Sequence, residues 1–400
     1  MTRSGHSAGL NEKRQDPQDN PLKSAGVSAF PLSKGHSTGR GLERVIAELV
    51  AGLDRIGQSY AFYDSGIIRN EFAAVGQAAS FFLDIRAHHH EVWFGVYPVA
   101  GIFPILARKR PVVTGVYDLI PFLAPGYDNA LKYFIKRQCI AFCCRHSDGL
   151  IVPFPSTAKQ IVEMFGVPDD RIEVIPLGID HSRFFCDEKI EKRRLRIGFL
   201  GEAKRAKGLD TAILAFAQVI TTIPEAFLVV ASDGNEIEAM KELARKAIPP
   251  DRYEFVGFLP EENLRHFYTE LDLFLFPSRY GFGLSAIEAT ACGTPAIVGR
   301  TLDSTDFFTE DSSLVDANSP ESLANQILLL LTYRDRYDAL RNWGLTRVRS
   351  LSFTRMAERY VEFWKKVRAK CKSVGRDGRP EPWPTPSSVK GRRNERAIHP

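Results

Sequence analysis

The chain reads as an α/β protein of two domains, each a parallel sheet covered by helices. Three observations carry this reading. Strand-like apolar runs alternate with helix-like segments, which argues against an all-α or all-β architecture. The runs fall into two series, separated by the charged stretch Asp187 to Arg196. The 400 residues, 44% hydrophobic and 25% charged, suffice for two large cores and are ordinary for a globular chain.

Taken in order, residues 1–24 read as a disordered tail with little apolar content. Val27 to Leu32 opens the first domain as a strand. The glycine-rich loop Ser33-Lys-Gly-His-Ser-Thr-Gly-Arg-Gly41 and an amphipathic helix from Leu42 to Leu53 follow. Short apolar runs at Tyr60–Tyr63, Phe81–Ile85, Val92–Val96, Val112–Val116 and Gly149–Val152 supply the rest of the first sheet. A second series runs through Leu195–Leu200, Phe227–Ala231, Phe255–Phe258, Leu271–Phe276, Ala296–Val298 and Ser313–Val315. These segments divide the chain into a first domain at 25–187, a second at 188–350, a closing helix at 351–370 and a tail at 371–400.

The net charge of +5 is unevenly placed, because Lys365 to Pro400 holds eleven basic and three acidic residues and leaves the remainder near −3. With Pro380, Pro382, Pro384 and Pro386, that tail reads as a solubilising, disordered extension, and no nucleic acid partner is expected of it. No apolar run reaches the roughly 18 residues of a membrane span, and the N-terminus lacks a signal-peptide core, so a cytoplasmic location is expected. Six cysteines, with Cys143 and Cys144 adjacent, form no disulfide framework.

The most informative stretch is Phe276 to Val298. It reads as a strand end, a turn bracketed by Gly281 and Gly283, a helix starting near Ser285 and a second strand. Glycines there let the backbone approach a ligand, and the free N–H groups and dipole of a helix start favour an anion. Glu288, one turn into the helix, is placed to accept hydrogen bonds from ligand hydroxyls such as those of a ribose. A diphosphate beside a diol means a nucleotide. A second polar loop, Gly201-Glu-Ala-Lys-Arg-Ala-Lys-Gly208, follows the strand Leu195–Leu200, and a lysine at the start of the next helix suits phosphate. Alone it would read as a solvated turn; together the two loops make a phosphate site.

These motifs resemble the retaining glycosyltransferases of family 4, whose GT-B fold is two Rossmann-like domains facing across a cleft. That family carries a glutamate, seven residues and a second glutamate, with Gly-Phe-Gly-Leu after the first. This chain keeps Gly281, Phe282, Gly283, Leu284 and the second glutamate, Glu288, but has Tyr280 in place of the first. By the resemblance Lys207 is the lysine of a basic pair that neutralises the donor diphosphate. Glu202 replaces the paired arginine, so Lys204 or Arg205 would have to serve. Across the cleft Tyr117 stands where the family has a histidine that touches the donor sugar, followed by Asp118. The loop at Gly35, Gly39 and Gly41 matches the family's glycine-rich loop. Val174-Ile-Pro-Leu-Gly-Ile-Asp180 matches its passage between domains, with Leu177 in an asparagine position. Agreement extends over about residues 26–368, through Ser156–Ile161, Gly166-Val-Pro168 and Phe353–Tyr360, and implies that the closing helix packs back toward the first domain.

The resemblance implies transfer of a hexose from a GDP- or UDP-linked sugar, with retention, to a polysaccharide or lipid-linked saccharide, with no cofactor beyond the donor. Tyr117 and Lys207 would act in catalysis. Gly39, Lys204, Arg205, Tyr280 and the Gly281–Glu288 motif would hold the donor. The departures at Tyr280, Glu202 and Tyr117 motivate an alternative, a catalytically silent relative that keeps the fold for partner binding. His88-His-His90 reads as a solvated turn, not a metal site. Cys139, Cys143, Cys144 and His146 read as one face of a buried helix, so no metal is expected. Lys132-Tyr-Phe-Ile-Lys-Arg137 mixes bases and aromatics, a pattern suited to peripheral contact with a membrane.

Overall fold

The computed structural model describes residues 22–29, 40–64, 71–123, 130–187, 195–281 and 283–373. Gly39 and Phe282 lie outside them, as does most of both expected tails. The tails are shorter than the sequence suggests at their inner ends: Leu22 is buried, and the last helix runs on to Ser373.

The first domain runs β1 (Ala25–Ala29), α1 (Arg40–Arg55), β2 (Tyr60–Asp64), α2 (Glu71–Ala87), β3 (Val92–Gly95), α3 (Pro98–Leu106), β4 (Val112–Gly115), α4 (Ile120–Leu123), α5 (Ala130–His146), β5 (Gly149–Val152), α6 (Pro155–Phe165) and β6 (Ile172–Val174). Its strands pair in the order β2-β1-β3-β4-β5-β6, all parallel. The second runs β7 (Arg196–Leu200), α7 (Leu209–Thr222), β8 (Phe227–Ala231), α8 (Ile237–Ala247), β9 (Tyr253–Phe255), α9 (Glu261–Thr269), β10 (Leu273–Phe276), α10 (Leu284–Ala291), β11 (Ala296–Gly299), α11 (Leu302–Phe307), β12 (Leu314–Val315), α12 (Pro320–Thr332), α13 (Arg334–Val348) and α14 (Phe353–Ser373). This sheet is also wholly parallel, in the order β12-β11-β10-β7-β8-β9. Central strands such as Leu273-Phe-Leu-Phe276 are buried along their whole length, as a sheet covered on both faces requires. The strand order reverses between β7 and β10, and that switch point is where an open α/β sheet leaves a crevice for a ligand.

One expected strand is a helix. Phe81–Ile85 belongs to α2, where Phe81 and Ile85 are buried one turn apart while Leu83 is 61% exposed. That burial follows a helical period, whereas strand alternation would put Phe81, Leu83 and Ile85 on one face. The strand expected at Phe255–Phe258 lies earlier, at Tyr253–Phe255, because Gly257 has a φ of +73° and breaks the extended run. The edge strand β6 carries no strong apolar run and was not anticipated.

The closing helix α14 crosses to the first domain and completes its core. Tyr360 and Trp364 are fully buried, with ring centroids 5.4 and 5.3 Å from Phe94 of β3. Gly52 of α1 permits the close crossing, since a Cβ there would lie 2.8 Å from the Phe353 carbonyl oxygen. The two segments that pass between the domains also touch each other: a Cβ on Gly178 would fall 2.3 Å from the Phe353 nitrogen. The His181 imidazole Nε2 lies 2.6 Å from the Leu351 carbonyl oxygen.

A second bond between the domains is a helix cap supplied in trans. α6 begins after Phe154, which offers no side-chain cap. Asp306 of α11 accepts from the Ser156 N–H at 2.8 Å, and Asp303 accepts from the Ser156 and Thr157 hydroxyls at 3.2 and 3.1 Å. Carboxylates at a helix N-terminus satisfy orphan donors and oppose the dipole. Burial nonetheless raises the Asp303 carboxyl above its ordinary range, only partly offset by the Thr157 and Ser156 bonds.

Two outcomes follow for stability. Trp364→Ala should cost about 3–5 kcal/mol in urea denaturation, the usual loss for truncating a buried tryptophan; a loss below about 1 kcal/mol would mean that α14 does not complete the core. Because folding raises the Asp303 pKa, its contribution is complete below the unfolded value of about 3.9 and is lost as pH rises through the folded value. Asp303→Asn cannot ionise, so its stability relative to the parent should increase across that window, read from urea midpoints at acidic and neutral pH.

Candidate functional site

The loops after β7 and β10 meet at the switch point of the second sheet, and their backbones touch. Gly208, at φ +78°, closes the turn Arg205–Lys207, and a Cβ there would lie 2.0 Å from the Pro277 carbonyl oxygen. The Arg279 N–H donates to the Ala206 carbonyl at 2.9 Å, and the Ser278 hydroxyl lies 2.6 Å from the Tyr280 carbonyl oxygen. The Arg279 guanidinium ties both loops down, donating to Asn318 Oδ1 at 2.6 Å, to the Arg205 carbonyl, and to Asp210 at 3.3 Å.

This clamp sets the position of Lys207. Its Nζ stands 3.8 Å from where a Cβ on Gly281 would be and 5.9 Å from the centroid of the Phe276 ring. Gly281 and Gly283 have φ of +92° and +73°, a region that favours glycine, and Gly283 is the N-cap of α10. The Ala286 and Ile287 N–H groups bond to the Gly283 carbonyl, while those of Leu284 and Ser285 have no acceptor among the described residues. The Lys207 ammonium thus stands against the turn that leads into the start of α10. Burial lowers the Lys207 pKa, against the charges of Asp118 and Glu202, which raise it, and Lys204 adds to the lowering.

Other expected residues fare differently. Lys204 pairs with Glu202 at 3.1 Å, so the reversed charge after Gly201 is met locally. Arg205 is exposed, and its N–H donates to Glu236 at 3.0 Å. Tyr280 is half-buried in the turn beside Lys207. Tyr117, expected at the sugar, lies just after β4 and packs inward. Its phenol is buried in the first domain's core, 3.4 Å from the Tyr360 hydroxyl, and burial pushes its pKa up to about 12. The neighbouring Asp118 is the residue whose charge acts on Lys207, while its Oδ1 accepts from the Ile120 N–H at 3.1 Å.

Glu288 is 3% exposed on α10, and both of its oxygens are engaged. Tyr268 of α9 donates its hydroxyl to Oε2 at 2.9 Å, and the Arg44 guanidinium of α1 donates to Oε1 across the cleft. Arg44 also lies 3.9 Å from Glu261. Sequence reasoning missed Arg44, Tyr268 and Arg279. Arg44 follows the glycine-rich loop directly, the one local hint of its place; nothing near Tyr268 or Arg279 marks either. No group of three metal-ligating side chains occurs among the described residues, and no described helix is long and apolar enough to cross a membrane.

Known families match both halves. Residues 181–345 fit the profile described as glycosyl transferases group 1, and residues 39–183 that of glycosyltransferase family 4. Mannosylfructose-phosphate synthase of Agrobacterium fabrum is 32% identical over 185 residues, 42% of this chain and 40% of that protein. A GDP-mannose-dependent alpha-(1-6)-phosphatidylinositol monomannoside mannosyltransferase of Mycobacterium tuberculosis is 28% identical over 272 residues, 62% of this chain and 68% of that one. The chain spans about half the length of the first of the curated relatives it matches. Among solved structures, sucrose-phosphate synthase from Thermosynechococcus elongatus superposes with a TM-score of 0.73 at 21% identity, over 87% of this chain and all of that one. Anabaena Alr3699/HepE, solved with UDP and glucose, superposes with a TM-score of 0.67 at 14% identity, over 86% of this chain and 99% of that one. With its two parallel sheets, its crossing closing helix and both halves matched, the chain belongs to the family 4 group of glycosyltransferases and has their GT-B fold.

Proposed function

We propose that the chain transfers a hexose from a nucleotide sugar to a saccharide acceptor, with retention at the anomeric carbon. The observation that carries this reading is the Lys207 ammonium held against the Gly281 turn, at the switch point and on the turn that leads into α10. As the bond from sugar to diphosphate breaks, negative charge grows on the leaving group while the sugar becomes oxocarbenium-like. Fixed donors aimed at that charge lower the barrier most, and they need no reorganisation during the reaction. Lys207 and the α10 N-terminus supply such donors. Lys204, paired with Glu202, and the exposed Arg205 flank the same loop and can turn toward a diphosphate.

Glu288 takes the role of ribose acceptor. Each carboxylate oxygen has a further lone pair, so the Tyr268 bond can stay while a ribose hydroxyl shares or displaces Arg44. Tyr117, turned toward Tyr360, is left out of the contact set. The base is left as uracil or guanine. UDP is bound in the Anabaena structure and GDP-mannose is named for the mycobacterial relative, so both belong in the first panel tested.

The Arg44 bond to Glu288 also favours a second reading, a silent relative in which that pair holds the cleft shut. A panel of UDP-, GDP- and ADP-sugars separates the two. For a transferase, one nucleotide should stabilise the fold by about 2.7 kcal/mol at a hundred times its dissociation constant, seen as a raised Tm. Lys207→Ala should then abolish the shift and slow donor turnover by ~10²–10³. Unchanged turnover in that variant would remove the phosphate assignment, and a folded parent that binds no donor would favour the silent reading. Retention is read separately, from the anomeric proton of the first-formed product, which should keep the donor's configuration.

A further inference from the structure

Glu288 is closed on both sides in this structure, by partners of unequal freedom. Among the described residues it has one partner on each carboxylate oxygen, and 3% of its surface is exposed. A further hydrogen-bond donor reaches that carboxylate only where a partner withdraws. Tyr268 is fixed: it is fully buried in the second domain, its ring centroid 5.4 Å from that of Phe274 and 5.7 Å from that of Phe267. Arg44 is not fixed in that way. It projects from α1 of the facing domain, and its guanidinium already spans two carboxylates, donating to Glu288 Oε1 through Nη2 while Nη1 lies 3.9 Å from Glu261 Oε1. Glu261 begins α9, two turns before Tyr268 on the same face, and is half exposed. Its other oxygen, Oε2, accepts from Arg183 Nη1 at 2.8 Å, and Arg183 also lies 3.8 Å from Glu48, one turn after Arg44 on α1. Arg183 therefore holds Glu261 by a bond independent of Arg44, with Oε1 on the Arg44 side.

From this arrangement we infer that Arg44 is the partner a nucleotide displaces: a ribose hydroxyl takes Glu288 Oε1, and the guanidinium moves wholly onto Glu261. The inference rests on the donor reading and specifies its ribose end. A buried carboxylate stripped of its cation is costly, because nothing then offsets its lost hydration. The exchange works only for a ligand that brings hydroxyl donors of its own. A diphosphate without a ribose leaves Arg44 in place, so the pair selects for the nucleoside as well as for the phosphates. Arg44 belongs to the first domain and Glu288 to the second. Occupancy of the nucleotide site is thus felt on α1, as a change of partner.

Calorimetric titration of the full chain with UDP, GDP and inorganic pyrophosphate tests this. Removing the competitor in Arg44→Met should tighten whichever nucleotide binds by about tenfold, the worth of one hydrogen bond to a charged group. Pyrophosphate, which has no hydroxyl to offer, should bind that variant no more tightly than the parent. Glu261→Gln takes away the second seat and should loosen the same nucleotide by about two- to fivefold, the worth of a half-exposed ion pair. That side chain is half exposed, so the second variant reads the exchange even where Arg44→Met does not fold. Nucleotide binding by Arg44→Met where the parent binds none also supports the inference. Loss of affinity for nucleotide and pyrophosphate alike in Arg44→Met would make Arg44 a phosphate-binding cation and overturn it. Nucleotide affinities equal to the parent's in both variants overturn it too, and leave the donor reading standing. If parent and Arg44→Met are both folded and neither binds UDP or GDP, the donor reading falls and this inference with it.

Discussion

Everything in the second domain that bears on chemistry depends on the backbone contact between Gly208 and Pro277. No side chain fits at residue 208, because its Cβ would overlap the Pro277 carbonyl and its φ is +78°. Two loops that would otherwise be separate turns therefore form one surface, reinforced by Arg279 reaching from the second to the carbonyl of the first. Lys207 precedes the contact directly and so has little freedom. It projects against the Gly281 turn, whose φ of +92° calls for glycine. Glycine here costs conformational entropy on folding and permits the close approach of the two loop backbones.

Charged groups of the cleft pair with one another. Lys207 feels Asp118 from the facing domain, Glu288 is bound by Arg44, and Lys204 by Glu202. On the proposed reading a donor diphosphate would bring negative charge into the same space, and would exchange these partners as well as add new ones. Its affinity would then be a difference between pairings, a setting in which complementary charges give selectivity more than raw strength. The same pairing joins the domains. Arg44 and Asp118 belong to the first, their partners to the second, while the α14 crossing and the Asp306 cap on α6 hold the frame in which they meet.

Reading from sequence succeeded where the signal was local. The alternation of strands and helices, the turn at Gly281 and Gly283 and the helix after it all lie within short windows of apolar period and turn chemistry. It failed at Phe81–Ile85, where an apolar run fits a strand or a buried helix face, and only packing decides between them. Tyr117 shows a subtler limit. Its position after β4 matched a pattern, yet the rotamer that buries its phenol beside Tyr360 depends on a helix that arrives 243 residues later.

The sequence by itself determined the fold class, the two series of strands and helices, the glycine turns after β7 and β10 and the basic, aromatic character of α5. Each of these is written in residues close together in the chain, where backbone propensity and periodicity act. Only the tertiary structure decided that Arg44 meets Glu288 across 244 residues, that the charge of Asp118 acts on Lys207, and that Tyr133 and Phe134 of α5 line an open groove while Cys139, Ile140, Cys143 and Cys144 join the core. Those outcomes turn on which surfaces the folded chain brings within hydrogen-bond or van der Waals reach, and nothing in the order of residues along one segment carries that distance.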